Sequence, residues 1–249
     1  MELLKFSKGN AKLKGIPSLS LLAGWSCPQA NLCKAKVNLV TKKLEDGPEQ
    51  VYRCFSASQE VLFKEVFNQR KHNFDLLRSL KTADEMAALI QASLPNPKKK
   101  IIRLHVSGDI FNEQYYLALV KVAENNPNLL FYTYTKSLAI WVKYKDITPS
   151  NFKLTASKGG RQDHLIEEYN LKYVQVVSTP EEAELLGLPL DKDDSNAYMH
   201  DKPFALLIHG TQKAGSDMSK AKSALRKRGI TGYQRISKTP NKFKKLIAA

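Results

Sequence analysis

The chain has 249 residues, of which 43% are hydrophobic and 25% charged, with only eleven Pro and twelve Gly. That composition supports one sizeable globular core and excludes a disordered or fibrous chain. No apolar run reaches the roughly 20 residues that a membrane-spanning helix needs, and the net charge of +15 fits either a polyanionic partner or a solubilising surface.

The predicted elements alternate short β-rich runs with helical stretches. Residues 16–22 (IPSLSLL) form a first strand that ends in Ala23, Gly24, Trp25 and Ser26. Residues 56–80 form one long helix, with Val61, Leu62, Val66, Phe74 and Leu77 recurring at three- and four-residue steps. A second helix covers 82–92, with Thr82 as N-cap and Glu85 three residues on, and Pro95 and Pro97 stop it. Strands follow at 101–106 (IIRLHV), 129–135 (LLFYTYT), 152–156 (FKLTA), 173–177 (YVQVV) and 204–208 (FALLI). Helices are expected at 113–124, at 180–186 behind Pro180, and at 216–228.

Six strands mostly separated by helices argue for an α/β fold of parallel βαβ units. The expected architecture is a partial (βα)6 barrel, TIM-like, with a doubly wound sheet as the alternative. One α/β domain spans 1–249. Its last segment, 213–249, holds eleven Lys or Arg against the single acid Asp217, so it carries +10 while the other 212 residues carry +5. This basic extension fits nucleic acid as a partner, or else a solubilising surface. Met1 to Lys14 has neither a long apolar stretch nor a cleavage site, so a cytoplasmic, reducing location is expected and a membrane is not.

Four loops after strands are polar or Gly-rich: Ser107-Gly108-Asp109, Thr135-Lys136-Ser137, the run from Ser157 to Arg161, and His209-Gly210-Thr211. In a parallel sheet such loops gather on one face, where ligands bind. The chain's three cysteines are Cys27, Cys33 and Cys54, spaced C-x5-C-x20-C, all within 28 residues and the first two directly after the first strand. Soft thiolates select zinc or iron–sulfur clusters. Structural zinc asks for four closed ligands, usually in short knuckles, and the only fourth donor in sight is His72, about five helical turns beyond Cys54. Three thiolates without a fourth suit a four-iron–four-sulfur (4Fe–4S) cluster with one open iron. Three inert, buried cysteines are the plain alternative.

Other candidates are weaker. His105 shares a nominal strand face with Ser107 and Asp109 and is either an acid–base group or a satisfied core histidine. Lys136 and Arg161 suit a carboxylate or phosphate, unless Arg161 merely pairs with Asp163. His209 ends the sixth strand. Asp191, Asp193 and Asp194 lack the Gly and Glu of a calcium loop and read as a solvated turn. The phosphate-loop, dinucleotide and nucleophile-elbow patterns are absent.

The stretches 27–37 (CPQANLCKAKV), 72–77 (HNFDLL), 103–111 (RLHVSGDIF), 126–142 (NPNLLFYTYTKSLAIWV), 154–165 (LTASKGGRQDHL) and 204–210 (FALLIHG) resemble a phage- and prophage-associated family known only as gene product 88. That resemblance covers nearly the whole chain, implies a phage-encoded protein in a bacterial host, and carries no activity. The placing of Cys27 and Cys33 after strand one, and of Ser107-Gly108-Asp109 after strand two, also resembles the radical S-adenosylmethionine (SAM) superfamily. Its usual cysteine spacing is C-x3-C-x2-C and its usual second motif is Gly-Gly-Glu, so this chain departs in both. The resemblance implies that Cys27, Cys33 and Cys54 hold a 4Fe–4S cluster whose open iron takes the amino and carboxylate groups of SAM. Ser107, Gly108 and Asp109 would contact the cofactor, and Lys136, Ser157 and Arg161 the substrate or the cofactor's carboxylate and ribose. Two functions follow: a radical SAM enzyme acting on nucleic acid or a nucleotide-bearing substrate, or a non-catalytic nucleic-acid-binding protein with a structural metal.

Overall fold

The computed structural model describes residues 2–9, 13 and 15–230. The basic stretch beyond residue 230 therefore lies outside the described residues. Six parallel strands form the central sheet: β1 (Ser18–Leu19), β4 (Ile101–Leu104), β5 (Leu130–Thr135), β6 (Phe152–Ser157), β7 (Tyr173–Val177) and β8 (Phe204–Leu207). They lie side by side in chain order. That order contains no reversal, so the doubly wound alternative, which needs a switch point, is not the observed arrangement. The sheet is not closed, because β1 and β8 each have one strand neighbour.

Most of the helices that connect successive neighbours lie on one face, as right-handed crossovers direct. Ile102 and Leu104 of β4, Phe131 of β5 and Phe152 and Leu154 of β6 pack there against Met86, Leu89 and Ile90 of α3 (Ala83–Ser93) and Tyr116, Leu119 and Val120 of α4 (Glu113–Glu124). Farther along, Ala205 and Leu207 of β8 meet Ala183 of α7 (Pro180–Leu185) and Leu225 of α9 (Asp217–Lys227). The opposite face bears Tyr132, Tyr134, Val174, Phe204 and Leu206 and is covered by Ala197 and Tyr198 of the short helix α8 (Ser195–Met199).

Several expectations need correction. Only Ser18–Leu19 of the first strand is a regular strand, with Pro17 O and Leu21 N–H adding one bond each on either side, although 16–22 is buried throughout. The long helix is two, α1 (Phe55–Leu62) and α2 (Lys64–Ser79), broken where Phe63 turns extended at φ −126° and ψ 99°. In an unbroken helix residues 60 and 70 would stand about 15 Å apart along the axis. The break lets Arg70 Nη1 come within 3.1 Å of Glu60 Oε1. The inward face of α1 is correspondingly polar, with Ser56, Ser58 and Glu60 buried and Val61 and Leu62 exposed. An antiparallel hairpin, β2 (Ala35–Val37) with β3 (Leu44–Asp46), and two short helices, α5 (Leu138–Lys143) and α6 (His164–Glu168), complete the pattern. The Asp191–Asp194 segment is not a solvated turn: both residues are buried, and Asp194 pairs with Arg103 of β4.

Candidate functional site

The loops that follow the strands meet around the segment carrying Cys27 and Cys33. The first contact comes from the β4 loop. Leu21 N–H donates to the Ser107 carbonyl at 2.8 Å, and Gly108, at φ +87°, lies so close that a Cβ there would stand 2.6 Å from both Leu21 Cβ and Ser26 Oγ. Only glycine meets both demands at once. The β6 loop holds the other side. Leu32 N–H donates to Gly159 O and Arg161 N–H to Gln29 O, each at 3.0 Å, so the cysteine loop is laced to 159–161 like a short antiparallel pair. The Asp163 carboxylate fixes that loop by accepting from Gly159 N–H and Gly160 N–H at 2.7 and 2.9 Å. Within the cysteine loop, Lys34 Nζ donates to the carbonyls of Gly24 and Cys27.

Cys54 arrives from a different direction, at the N-cap of α1. Its neighbours are held by the loop after β8. Gln212 accepts from Arg53 N–H at 2.8 Å and donates to the Arg53 carbonyl at 3.1 Å. The Phe55 ring lies 4.4 Å from that of His209, and Gly210 presses against Phe55.

The three cysteines are free thiols, each partly accessible. Their electrostatics show that they share one neighbourhood. Burial pushes the Cys27 thiol well above its usual range, and Asp109, Cys54 and Cys33 push it further. Burial and then Cys33 raise the Cys54 thiol to about 11, with a smaller push from Glu60. Tyr52 is raised by burial, then by Cys33, Cys54 and Asp163. Among the described residues no three His, Cys, Asp or Glu side chains converge tightly enough to hold a single metal ion. His72 is engaged elsewhere, its Nε2 2.9 Å from the Leu3 carbonyl and its Nδ1 facing Glu2.

The remaining candidates are near this centre but differently occupied. Ser107 Oγ donates to Glu60 Oε1 at 3.1 Å. Asp109 is buried and accepts from Ile110 N–H, Thr135 Oγ1 and Lys136 N–H at 2.7, 2.6 and 2.9 Å. Burial raises its pKa against the lowering effect of those bonds. Lys136 turns its ammonium to the Ser157 carbonyl, Ser157 Oγ and the Lys158 carbonyl at 2.6, 2.9 and 3.0 Å. Asp109, Lys136 and Ser157 thus form a chain of bonds that ties three strand ends together. Arg161 faces solvent with its side chain unpaired among the described residues, since Asp163 serves the two glycines instead. His105 is a core histidine on the helix face, 2.9 Å from both Thr133 Oγ1 and Tyr115 OH. Burial lowers its pKa to about 3, and Arg103 adds to the drop.

Glu60 was not among the sequence candidates. Its Oε1 accepts from Ala23 N–H at 3.0 Å, from Arg70 Nη1 and from Ser107 Oγ, so it joins α1 to the loops after β1 and β4. Burial raises its pKa, with Arg70 the main opposing influence. The usable sequence signal was an acid and a base, Glu60 and Arg70, inside a run otherwise read as an amphipathic helix.

The comparisons with known proteins agree on one family. The family described as Gene product 88 matches residues 3–229. "Gene 88 protein" of Mycobacterium phage L5 is 30% identical over 135 residues, and its counterpart in Mycobacterium phage D29 is 27% identical over 135 residues. Each match covers 51% of this chain and 48% of the relative, so the chain spans about half the length of these curated relatives. Neither printed name states an activity. No solved structure matches. Among the described residues no helix is long and apolar enough to cross a membrane. The chain belongs to the gene product 88 family.

Proposed function

We propose that this is an iron–sulfur protein of radical SAM type, in which Cys27, Cys33 and Cys54 ligate a 4Fe–4S cluster with one open iron. The reading rests on one observation: the loop of Cys27 and Cys33 is bonded to the β4 and β6 loops and Cys54 caps α1 beside the β8 loop, so all three lie at the end of the sheet where ligands bind in α/β proteins. The donor set fits the group. A cluster distributes its thiolates over different irons, so it asks for cysteines arranged around a space, not drawn onto one point as zinc requires. Six parallel strands in chain order, with the crossover helices on one face, support a partial (βα)6 barrel as the scaffold.

When bound, the cluster supplies single-electron chemistry, and SAM on its open iron supplies a radical. The chain's own residues orient and enclose. Gly108 lets the β4 loop approach the cysteine loop, Gln212 fixes the backbone before Cys54, and Lys136 with Asp109 holds the strand ends in register. Arg161 is the available cation for a ligand carboxylate or phosphate. The basic residues at the C-terminal end favour nucleic acid or a nucleotide-bearing substrate, and phage-encoded relatives favour the cytoplasm of a bacterial host.

The second reading, a non-catalytic nucleic-acid-binding protein with a structural metal, draws on the exposed Lys213, Arg226 and Lys227 around α9. Anaerobic purification separates the two. The first reading expects a broad visible chromophore, iron and acid-labile sulfide in equal amounts, and a reduced-state paramagnetic signal that SAM alters. Cys33→Ala abolishes the chromophore. Colourless protein carrying zinc, or a Cys33→Ala spectrum like the wild type, overturns it.

A further inference from the structure

We propose that a groove between the β2–β3 hairpin and α2 binds single-stranded nucleic acid, with one base stacked on Trp25 and the flanking phosphates held by Lys36, Lys71 and Arg78. The inference rests on the nucleic-acid substrate class of the reading above and names where such a strand would lie. The groove has a volume of about 590 Å³. Leu22 and Phe74 form its buried floor, Trp25 and Leu39 a wall, and Lys71 and Arg78 the rim along α2.

Trp25 is a fixed aromatic surface. Its Nε1 donates to the Val37 carbonyl at 2.9 Å, which pins the indole to β2. The backbone before it is fixed as well. Gly24 holds φ +72°, and a Cβ there would stand 2.3 Å from the Ala35 carbonyl oxygen. The tryptophan nevertheless keeps 38% of its surface exposed. A large aromatic ring that is held in place yet open to solvent supplies stacking area at little cost in ordering. Lys36 Nζ stands 4.4 Å from the centroid of that ring, so a cation accompanies the stacking surface. Every base has a flat π-face that such a ring accepts.

Charge points to a polyanion as the occupant. One carboxylate, Asp75, is shared by Lys71 and Arg78, so it matches only one of them. Lys36 faces Glu45 at 3.5 Å, but both side chains are exposed and solvent weakens the pair. Across residues 34–46 and 71–79, which frame the groove, six Lys or Arg stand against three acids, an excess of three positive charges with His72 neutral. One of those acids, Asp46, is paired with Arg53. An apolar peptide would fill the floor and leave the excess unmatched. A single nucleotide would match only part of it, because Lys71 and Arg78 are about 10 Å apart along α2 and Lys36 stands on the hairpin. Phosphates spaced along a strand reach both sides. A duplex keeps its base faces inside its own stack and offers none to Trp25. The groove also borders the cysteine loop: Trp25 precedes Cys27 by two residues, and Lys34 Nζ donates to the Gly24 and Cys27 carbonyls.

The test uses the full-length chain, metal-free and cluster-loaded, with an oligothymidylate about 12 nucleotides long as the probe. Binding is read by the anisotropy of an end-labelled strand across a salt series and, with unlabelled strand, by quenching of indole fluorescence. The strand is expected to quench wild type, and Trp25→Phe to remove that quench. Trp25→Ala is expected to weaken binding by about tenfold. Lys71→Gln combined with Arg78→Gln is expected to reduce the slope of log affinity against log salt by about 1.4, since each phosphate contact on a single strand contributes about 0.7. A quench undiminished in Trp25→Phe, or unchanged affinity in Trp25→Ala, overturns the groove and leaves the cluster reading standing. Equal affinity and equal quench with a duplex of the same length overturn the single-strand assignment. Wild type that binds no strand, loaded or metal-free, overturns the groove together with nucleic acid as the substrate class. If Trp25→Ala fails to fold, the quench of wild type against Trp25→Phe and the salt slope still decide.

Discussion

Two regions beside one sheet bury charge in contrasting ways. On the face covered by α8, Arg103 of β4 is paired with Asp194 and lies over the Tyr134 ring at 4.9 Å, while Tyr132 OH donates to Asp194 at 3.2 Å. Asp191 accepts from Asp194 N–H and from both nitrogens of Asn196. Where the strands finish, Glu60 meets Arg70 with one carboxylate oxygen unserved among the described residues, and the three cysteines lie on adjoining segments. The first network pairs its charges within the chain and holds α8 against the sheet. The second leaves Glu60 Oε2 without a hydrogen-bond partner among the described residues.

The largest effect should come from the buried Arg103–Asp194 pair. Asp194→Ala leaves the Arg103 guanidinium buried without its carboxylate, and breaking a buried pair in this way costs about 3–5 kcal/mol. Cys33→Ser, in the cysteine loop, should change the stability of the metal-free chain by less than about 1 kcal/mol, as for a substitution that removes no core contact. Urea unfolding of both variants reads the contrast directly. Similar midpoints for the two would erase it.

A smaller effect tests the seam between the cysteine loop and the β4 loop. Gly108→Ala asks an L-residue to hold φ +87° and sets a methyl 2.6 Å from Leu21 Cβ and Ser26 Oγ. Strain of this kind costs about 1–3 kcal/mol, and relief requires the two loops to separate. The expected outcome is a modest fall in the urea midpoint accompanied by loss of iron uptake. A variant that unfolds at the lower midpoint yet loads iron normally would show that the close approach serves folding alone.

How much of this was legible in the sequence follows from the range of each interaction. Helix α3 was readable to its cap, because Thr82 and Glu85 satisfy each other's backbone within three residues. The strands were readable because their apolar, β-branched and aromatic runs carry their own pattern. The break at Phe63 was not, since Arg70 reaches back to Glu60 only in three dimensions. Asp194 looked solvated in a run of charges because its partner Arg103 stands 91 residues away. Glu60 read as part of a helix's wet face for the same reason: Ala23 and Ser107, which it binds, belong to other elements. The cysteines and the glycine-rich loops were legible as residue types, but the mutual arrangement of the loops belongs to the fold.

His105 sharpens the comparison by showing a closed site one residue beyond β4. Both ring nitrogens are engaged, and the ring stays neutral to about pH 3 in the folded chain against 6.5 when exposed. Between those values the unfolded chain binds a proton that the folded chain does not, so stability falls as pH falls, by up to about 1.4 kcal/mol per pH unit. The buried acids work in the other direction. Glu60 and Asp109 have raised pKa values in the folded chain, so their favourable contribution is complete below the unfolded values of 4.5 and 3.8 and is lost as pH rises through the folded ones. Because these opposing slopes overlap, the wild-type profile alone does not isolate the histidine. Subtracting a His105→Gln profile does, since glutamine keeps hydrogen-bonding groups but does not titrate. The difference should be flat above pH 6.5 and should tilt below it, with wild type losing stability relative to the variant down to about pH 3. A difference that stays flat across that window would mean that the ring takes up its proton in the folded state, and that this position is as open as the cysteine end.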